Sequence, residues 1–349
     1  MSLQSHSKSW RLAALASVSV VALALAGCAS GGSSTNQAAS GTPVSKKLSL
    51  NVGYIDTSIN GVGIIEIANQ KKLWEKAGLD AKLVPFTNGP TQIQAMQSGQ
   101  IDVGYIGGGA VWMPATGKAT IIAPSETSLG DMVLAQPGSG ITSLKQLKGK
   151  RIGYPEGGSG EMILDLALKE AGLSASDVQK IVLDPPSVVT AFVGKQIDAA
   201  AIFQPLVGQI TTAVPGTVIL ATNADFPKTT FMGAWVASNN AVKTKADAIQ
   251  RFLQVYIQAN DFRIADTKQT VQWASNVSGA PVSQLTAQAK ISGWTKSAEI
   301  EKNNADGTTF KQFKSLEEVF VMMKRMTAVN DPATFVNTKL FSEAMKALK

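Results

Sequence analysis

Apolar and polar positions along the chain follow two periods, and from residue 48 onward they predict alternating strands and helices. Residues 48–54 alternate apolar and polar, which is typical of a half-buried strand. Apolar residues then recur at helical spacing over 64–74, and a second strand pattern covers 81–86. A short helix at 90–96 and a strand at 100–106 continue the series. This β-α-β-α-β order predicts a parallel sheet with helices on both faces.

One motif occurs twice. Gln100-Ile101-Asp102 opens an apolar strand that runs into the corner Gly107-Gly108-Gly109. Gln196-Ile197-Asp198 repeats the order about a hundred residues later and leads into the corner Phe203-Gln204-Pro205. Ligands of open α/β sheets bind beyond the carboxyl ends of the strands. We therefore expect two lobes that face each other across these corners.

The chain breaks at Pro137–Gly140, and a second α/β series follows, with a strand ending at Tyr154 and a helix over 161–170. From Thr244 onward the spacing of apolar residues is helical. We expect this tail to pack on the first lobe. The expected division is lobe one at 47–135 and 237–349 and lobe two at 136–236, with crossings near 134–137 and 233–237.

The first 27 residues have the character of an export signal. Lys8 and Arg11 precede the apolar run 12–26, which is short for a membrane span. The following Leu25-Ala26-Gly27-Cys28 resembles the lipobox of bacterial lipoproteins, which implies that Cys28 is lipidated. The alternative is a plain signal peptide with a chance cysteine. Residues 28–46 are nearly all small and polar, which predicts a flexible tether.

Composition narrows the chemistry. The 349 residues are 44% hydrophobic and 16% charged, which suits a globular protein. The only cysteine is Cys28 and the only histidine is His6, so the mature chain lacks the residues of Ser-His-Asp, Cys-His and His-zinc sites. We expect no catalytic residue, no metal and no cofactor. The formal charge of +7 is too scattered for nucleic-acid binding, although a mildly positive surface favours an anionic ligand.

Several segments carry a family resemblance. The segment 141–154, with Leu147-Lys148-Gly149-Lys150, resembles one common in solute-binding proteins of ABC importers. Together with 178–183, 191–198 and the corner at 203–205, it resembles the nitrate-, sulfonate- and taurine-binding (NMT1-like) family, over roughly 48–238. That family also includes binders of thiamine precursors.

The resemblance implies an α/β periplasmic-binding-protein type II fold, with two doubly wound lobes joined by two hinge crossings. It implies an extracytoplasmic, lipid-anchored, monomeric protein that captures a small anionic or zwitterionic solute, such as a sulfonate, taurine, nitrate or a carboxylate. An ABC permease and its ATPase are the implied partners. The alternatives are a binder of a thiamine-precursor pyrimidine or another amine, or a surface sensor without a transporter. The pyrimidine synthases of thiamine biosynthesis share this fold and use histidine with a pyridoxal cofactor, and the mature chain has no histidine for that chemistry.

The candidate ligand-binding residues lie in the corners after the predicted strands and at their ends. They are Asn60, Gly61, Gly107, Gly108, Gly109, Glu126, Gly158, Ser159, Gly160, Phe203, Gln204 and Trp235.

Each candidate also has a structural interpretation. The glycines could form only tight turns, and Ser159 could be only a helix cap. Gln204 could lie in a surface turn, and Phe203 and Trp235 could be core. Glu126 has two interpretations with opposite consequences: pointing inward it would repel a bare anion and favour an ammonium, and pointing outward it is an ordinary exposed acid. Relatives often have Ser or Thr followed by His where this chain has Gly160 and Glu161, which leaves the ligand chemistry open.

Overall fold

The structure, a computed structural model, describes residues 47–349. The predicted signal peptide, Cys28 and the tether lie outside the described residues. The described part contains eleven strands: β1 (Leu48–Ile55), β2 (Leu79–Phe86), β3 (Val103–Ile106), β4 (Thr120–Ser128), β5 (Asp131–Ala135), β6 (Arg151–Tyr154), β7 (Gln179–Val182), β8 (Ala199–Phe203), β9 (Val218–Thr222), β10 (Met232–Ala237) and β11 (Ser292–Trp294).

Fourteen α-helices accompany them within the same residues. They are α1 (Ile59–Gln70), α2 (Leu73–Lys76), α3 (Gly89–Gln97), α4 (Trp112–Ala115), α5 (Ser159–Glu170), α6 (Pro185–Val193), α7 (Leu206–Ala213), α8 (Asn239–Thr244), α9 (Ala246–Ala265), α10 (Thr267–Ser278), α11 (Val282–Lys290), α12 (Ser297–Ala305), α13 (Thr308–Met322) and α14 (Thr338–Ala347). In this part of the chain, no helix combines the length and the apolar character that a membrane crossing requires.

The strands form two sheets of matching order, one in each lobe. The sheet of lobe one has the order β11-β4-β10-β3-β1-β2, and the sheet of lobe two has the order β7-β6-β8-β5-β9. Strands β1, β2 and β3 are parallel, as are β6, β7 and β8. Neither sheet is wholly parallel, in contrast to the expectation, because β10 and β5 each enter a sheet in the antiparallel sense.

Both crossings between the lobes lie a few residues before their expected positions. Residues 131–135, expected in lobe one, form β5 and pair with β8 and β9 of lobe two. Residues 232–236, expected in lobe two, belong to β10 and pair with β3 and β4. The chain therefore crosses at 129–130 and again at 226–231. An isolated apolar strand does not reveal which sheet it joins, because the pairing partner is distant in sequence.

The tail from α8 onward packs mainly on lobe one. Ile249, Phe252 and Tyr256 of α9 share a buried core with Leu50 and Val52 of β1. The tail differs from a purely helical extension, because β11 adds a strand to the edge of the lobe-one sheet beside β4. It also reaches lobe two through Arg325, which follows α13.

The repeated sequence motif has the same structural role in both lobes. In lobe one, the Asp102 carboxylate accepts hydrogen bonds from the Asn51 amide and from Lys245 Nζ, both at 2.8 Å. In lobe two, the Asp198 carboxylate accepts from the Arg151 amide and from its guanidinium, both at 2.8 Å. Each aspartate directly precedes a strand, β3 or β8, and bonds to the neighbouring parallel strand, β1 or β6.

The isoleucine of each motif packs over a glycine in that neighbouring strand. A Cβ at Gly53 of β1 would lie 2.6 Å from Ile101 Cδ1, and a Cβ at Gly153 of β6 would lie 2.5 Å from Ile197 Cδ1. These distances are far below van der Waals contact, so the two glycines make room for the buried isoleucines.

We predict that Gly153→Ala lowers the free energy of unfolding by about 1–3 kcal/mol, the usual cost of overpacking. Ile197→Val alone should cost about 0.5–1.5 kcal/mol. The double variant should be more stable than the sum of the two losses predicts, because removing Cδ1 makes room for the new methyl group. Urea denaturation of the four proteins measures this coupling, and strictly additive losses would refute the packing relation.

Candidate functional site

A cavity of about 60 Å³ lies between the carboxyl ends of the strands of the two sheets. One water-sized group needs roughly 10–15 Å³ of such volume, so the cavity accommodates a compact solute. Each lobe supplies part of its lining through the segments that follow the strands. Lobe one contributes Ser58, Asn60, Gly107, Gly108 and Glu126, and lobe two contributes Asp131, Pro155, Ser159, Phe203 and Gln204.

Eight of the twelve sequence-predicted residues line this one cavity. They are Asn60, Gly107, Gly108, Glu126, Gly158, Ser159, Phe203 and Gln204. Gly158 is the residue that caps α5, so the Ser159 side chain does not serve as the cap. The corner after β8 contains a cis peptide bond between Gln204 and Pro205. The role of these residues in ligand binding remains a prediction.

Three predicted glycines do not line the cavity, because each one is covered by backbone or by a proline ring. A Cβ at Gly61 would lie 2.9 Å from the Ile55 carbonyl oxygen. A Cβ at Gly160 would lie 2.8 Å from the Ala201 carbonyl oxygen. A Cβ at Gly109 would overlap the backbone of Ser159, across the boundary between the lobes. These positions need glycine for close approach rather than for contact with a solute.

Trp235 also lies away from the cavity. It is fully buried in β10, and its ring centroid lies 5.1 Å from that of Phe252 and 5.8 Å from that of Tyr105. The side chain therefore belongs to the core of lobe one, the alternative that its sequence context left open.

Glu126 points inward from β4 and is only 3% exposed. Its Oε1 accepts a 2.5 Å hydrogen bond from the Tyr105 hydroxyl, whereas Oε2 is buried without a partner among the described residues. Burial raises the pKa of Glu126 to about 7, although Tyr105, Ser125 and Arg263 act in the opposite direction. The carboxyl group therefore changes its charge near neutral pH.

Asp131 lies at the start of β5, on the lobe-two side of the cavity, and is 2% exposed. Its Oδ2 accepts a 2.9 Å hydrogen bond from Asn223 Nδ2, and its amide donates to Asn223 Oδ1 at 2.6 Å. Burial raises the pKa of Asp131, while hydrogen bonds from Ser159 and Asn223 lower it. The two carboxyl groups therefore belong to different lobes and line the same cavity.

Arg263 of α9 is a buried cation whose charge acts on Glu126, and it lies behind the residues that line the cavity. Its Nη2 donates to the Ser125 carbonyl oxygen at 2.8 Å and to Asn260 Oδ1 at 2.7 Å, and its guanidinium stacks over Trp294. Glu126, Asp131 and the rim residue Glu156 are the charged residues of the lining. No lysine or arginine is among the residues of the described chain that line the cavity.

The two lobes touch around the cavity. Trp112 Nε1 of lobe one donates to the Gly157 carbonyl oxygen of lobe two at 3.0 Å. Gln288 Nε2 of α11 donates to the Gln204 carbonyl oxygen at 2.9 Å. Arg325 forms ion pairs with Glu161 at 2.6 Å and, more exposed, with Glu156 at 3.0 Å. The cavity is thus bounded by hydrogen bonds and ion pairs that join the lobes.

Several lining residues escaped the sequence-based prediction. Asn88 caps α3 by accepting from the Thr91 amide, and the Asn-Gly-Pro sequence is a recognisable helix start. Asp131 follows Gly130 at the start of β5, and a glycine directly before a strand is a loop signal that the sequence shows. Gln288 comes from the distant tail and has no local signal, because only the packing of α11 brings it to the cavity.

A cavity between two α/β lobes of matching strand order, joined by two crossings, defines the type II periplasmic-binding-protein fold. Residues 60–270 match the family model described as NMT1/THI5 like, and the chain belongs to this family.

Comparisons with individual proteins agree with this assignment. The chain is 43% identical over 292 residues to a putative binding protein of Brucella abortus, covering 83% of this chain and 91% of the relative. It is 26% identical over 265 residues to a putative ABC transporter periplasmic binding protein of Brachyspira hyodysenteriae, covering 71% and 72%. The alkanesulfonate-binding protein SsuA of Xanthomonas axonopodis bound to MOPS superposes with a TM-score of 0.67 at 22% identity, covering 83% and 98%. The predicted fold class is confirmed.

We predict that the buried carboxyl of Glu126 makes the protein less stable as pH rises from about 4.5 to 7. The folded protein keeps this proton up to about pH 7, whereas an ordinary glutamate loses it near 4.5. The folded state therefore binds more protons between these values, and stability falls as pH rises through them. Relative to the solute-free wild type, Glu126→Gln should gain about 3 kcal/mol between pH 4.5 and 8.

Urea denaturation of both proteins across this pH range measures the difference. Glu75→Gln, which removes an exposed carboxyl from α2, is the matched control and should show no such gain. A constant difference between Glu126→Gln and the wild type at all pH values would contradict the burial argument.

Proposed function

We propose that this protein is the extracytoplasmic solute-binding component of an ABC importer. The observation that carries the proposal is the small cavity between the lobes, to which both lobes contribute buried polar groups. Such a site encloses its guest only when the lobes meet, so binding is coupled to domain closure. The Brachyspira relative is named as an ABC transporter periplasmic binding protein, which supports this role.

The proposed solute is a small anionic or zwitterionic molecule, and the lining favours the zwitterion. The α5 N-terminus and the Gly107-Gly108 corner offer partial positive charge and backbone amides to an anionic group. The lining carboxyls Glu126 and Asp131 oppose a bare anion. The SsuA neighbour is described as alkanesulfonate-binding, and an aminosulfonate such as taurine would combine both charges.

Binding at useful affinity does not require a catalytic group. Four hydrogen bonds to a charged solute contribute roughly 1.5–3 kcal/mol each, against an association cost of about 4 kcal/mol or more. Micromolar affinity corresponds to about 8 kcal/mol, which is within this range. Because the mature chain contains no histidine, we propose binding without turnover, with no cofactor and with a permease and its ATPase as partners.

Closure of the lobes is the proposed working motion, and Gly109 is the residue that permits it. The backbone of Gly109 packs directly on Gly158 and Ser159, so that a Cβ at this position would overlap the opposite lobe. A solute that bridges both linings stabilises the closed form by its differential affinity for it.

We predict that Gly109→Ala weakens retention of the bound solute at least tenfold, because the methyl group keeps the lobes apart. Native mass spectrometry of gently isolated protein identifies the retained small molecule and its occupancy in each variant. Gly63→Ala in α1 is the control, since its Cβ would lie 3.3 Å or more from its neighbours, and it should retain the solute. Absence of any small molecule from wild-type protein, together with no loss of uptake in a deletion strain, would refute the proposed function.

We also propose that the mature protein is anchored to the membrane through a lipid on Cys28. The anchor places the solute-binding lobes near the permease without a membrane-spanning segment. A Cys28→Ser variant should move from the membrane fraction to the soluble extracytoplasmic fraction, because serine cannot form the thioether. Cell fractionation with immunoblotting measures this, with Ser40→Ala in the predicted tether as the control. Retention of Cys28→Ser in the membrane fraction after alkaline washing would exclude the anchor.

A further inference from the structure

We infer that the solute carries a cationic nitrogen group, which binds between the Glu126 carboxylate of lobe one and the Asp131 carboxylate of lobe two. The inference rests on the proposed solute-binding function and names the feature by which the site selects its guest. It separates this protein from a binder of simple sulfonates, nitrate or carboxylates.

The first observation is the sign of the charge around the cavity. Glu126 and Asp131 line it from opposite lobes, and neither forms an ion pair with a lysine or arginine of residues 47–349. The guanidinium of Arg325 is engaged by Glu156 and Glu161 at the rim. Arg263 lies behind the lining, where its Nε and Nη2 donate to Asn260 Oδ1 and the Ser125 carbonyl oxygen. Its Nη1 has no partner among the described residues, and its charge acts on Glu126 through space without an ion pair. A cationic group in the solute would supply the opposite charge that these two carboxyls lack.

The second observation is an unmatched acceptor. Glu126 Oε2 has no hydrogen-bond partner among the described residues, although the residue is only 3% exposed. Its other oxygen already accepts from the Tyr105 hydroxyl, so the tyrosine proton is directed at the carboxylate. A buried acceptor without a donor is costly, and an N–H group of the solute would satisfy it.

The third observation concerns Asp131, whose position is fixed. Its amide and carboxylate both bond to the buried side chain of Asn223, so the carboxyl is held at the cavity wall before a solute enters. Because Asp131 and Glu126 belong to different lobes, a cation that contacts both would favour the closed form. The same contact would therefore provide selectivity and drive closure.

The opposite possibility is a protonated Glu126 that donates its hydrogen to an anion. The titratable groups acting on Glu126 are Tyr105 of β3, Tyr256 and Arg263 of α9 and Asp131 of β5. Burial raises the pKa of both tyrosines, that of Tyr256 to about 12, so they remain neutral between pH 6 and 8. The change in charge at Glu126 then gives the two possibilities opposite pH dependences.

A thermal-shift and calorimetric experiment with matched solutes tests the inference on the full mature protein, freed of bound solute. Two pairs differ only in an ammonium group: taurine with ethanesulfonate, and 4-aminobutyrate with butyrate. In a third pair, benzamidinium with benzoate, an amidinium replaces a carboxylate of similar shape. Ethylammonium is added to distinguish a simple cation from a zwitterion. We expect that at 10 mM the nitrogen-bearing solutes raise Tm and that their anionic partners do not.

Two variants and a pH series sharpen the result. For the solute that raises Tm most, Glu126→Gln and Asp131→Asn should each weaken affinity about 10- to 100-fold, the usual loss for one charge-assisted hydrogen bond. Glu75→Gln, exposed on α2, should bind like the wild type. Wild-type affinity should rise about tenfold from pH 6 to pH 8, because the carboxylate form of Glu126 becomes dominant. Chemical denaturation confirms that each variant is folded.

The outcomes separate the inference from the proposed function. Stabilisation by ethanesulfonate, butyrate or benzoate equal to that by their partners would overturn the inference and leave solute binding intact. Affinity that rises as pH falls, or that survives Glu126→Gln, would likewise assign Glu126 the role of a hydrogen donor to an anion. Stabilisation by no member of the panel, with no solute released from native protein, would count against the proposed function itself.

Discussion

The burial of the Glu126 carboxyl at the base of the cavity is the constraint on which the site depends. The fold withdraws this group from water beside Tyr105 and keeps the nearest cation, Arg263, behind the lining. Desolvation without a full ion pair raises the pKa of Glu126 to about 7 and leaves one oxygen unsatisfied. The surrounding core of β3, β4, β10 and α9 must compensate for this cost. In the inferred complex, an N–H group of the solute supplies the hydrogen bond that Glu126 Oε2 lacks.

The symmetry of the two lobes explains why such a site arises at their junction. Each sheet has the same order, with three parallel strands followed by an antiparallel strand that has crossed from the other lobe. The pairs Asp102 with Asp198, Ile101 with Ile197 and Gly53 with Gly153 hold equivalent strands in equivalent positions. The carboxyl ends of the parallel strands therefore face each other, and Asp131 lies beside the crossing itself. In the proposed closure motion, the crossings at residues 129–130 and 226–231 are the hinge segments.

Glycine has two distinct tasks in this region. Gly107, Gly108 and Gly158 line the cavity, where the absence of a side chain leaves the backbone accessible. Gly109 instead lets the backbones of the two lobes meet, because a methyl group there would overlap Ser159. Adjacent residues of one glycine run thus line the cavity and let the two lobes approach each other closely. The ion pairs of Arg325 with Glu156 and Glu161 close the same boundary at the rim.

The sequence by itself determined the strand and helix order, the duplicated motif, the family and eight cavity residues, because period, glycine corners and local motifs depend on near neighbours. It left Glu126 undecided between the site and the exposed surface, and it assigned β5 and most of β10 to the other lobe. Only the tertiary structure placed Trp235 in the core and brought Gln288 and Asp131 to the cavity. The physical reason is that burial and charge environment are set by residues far apart in the chain, and those contacts decide which carboxyl lines the cavity.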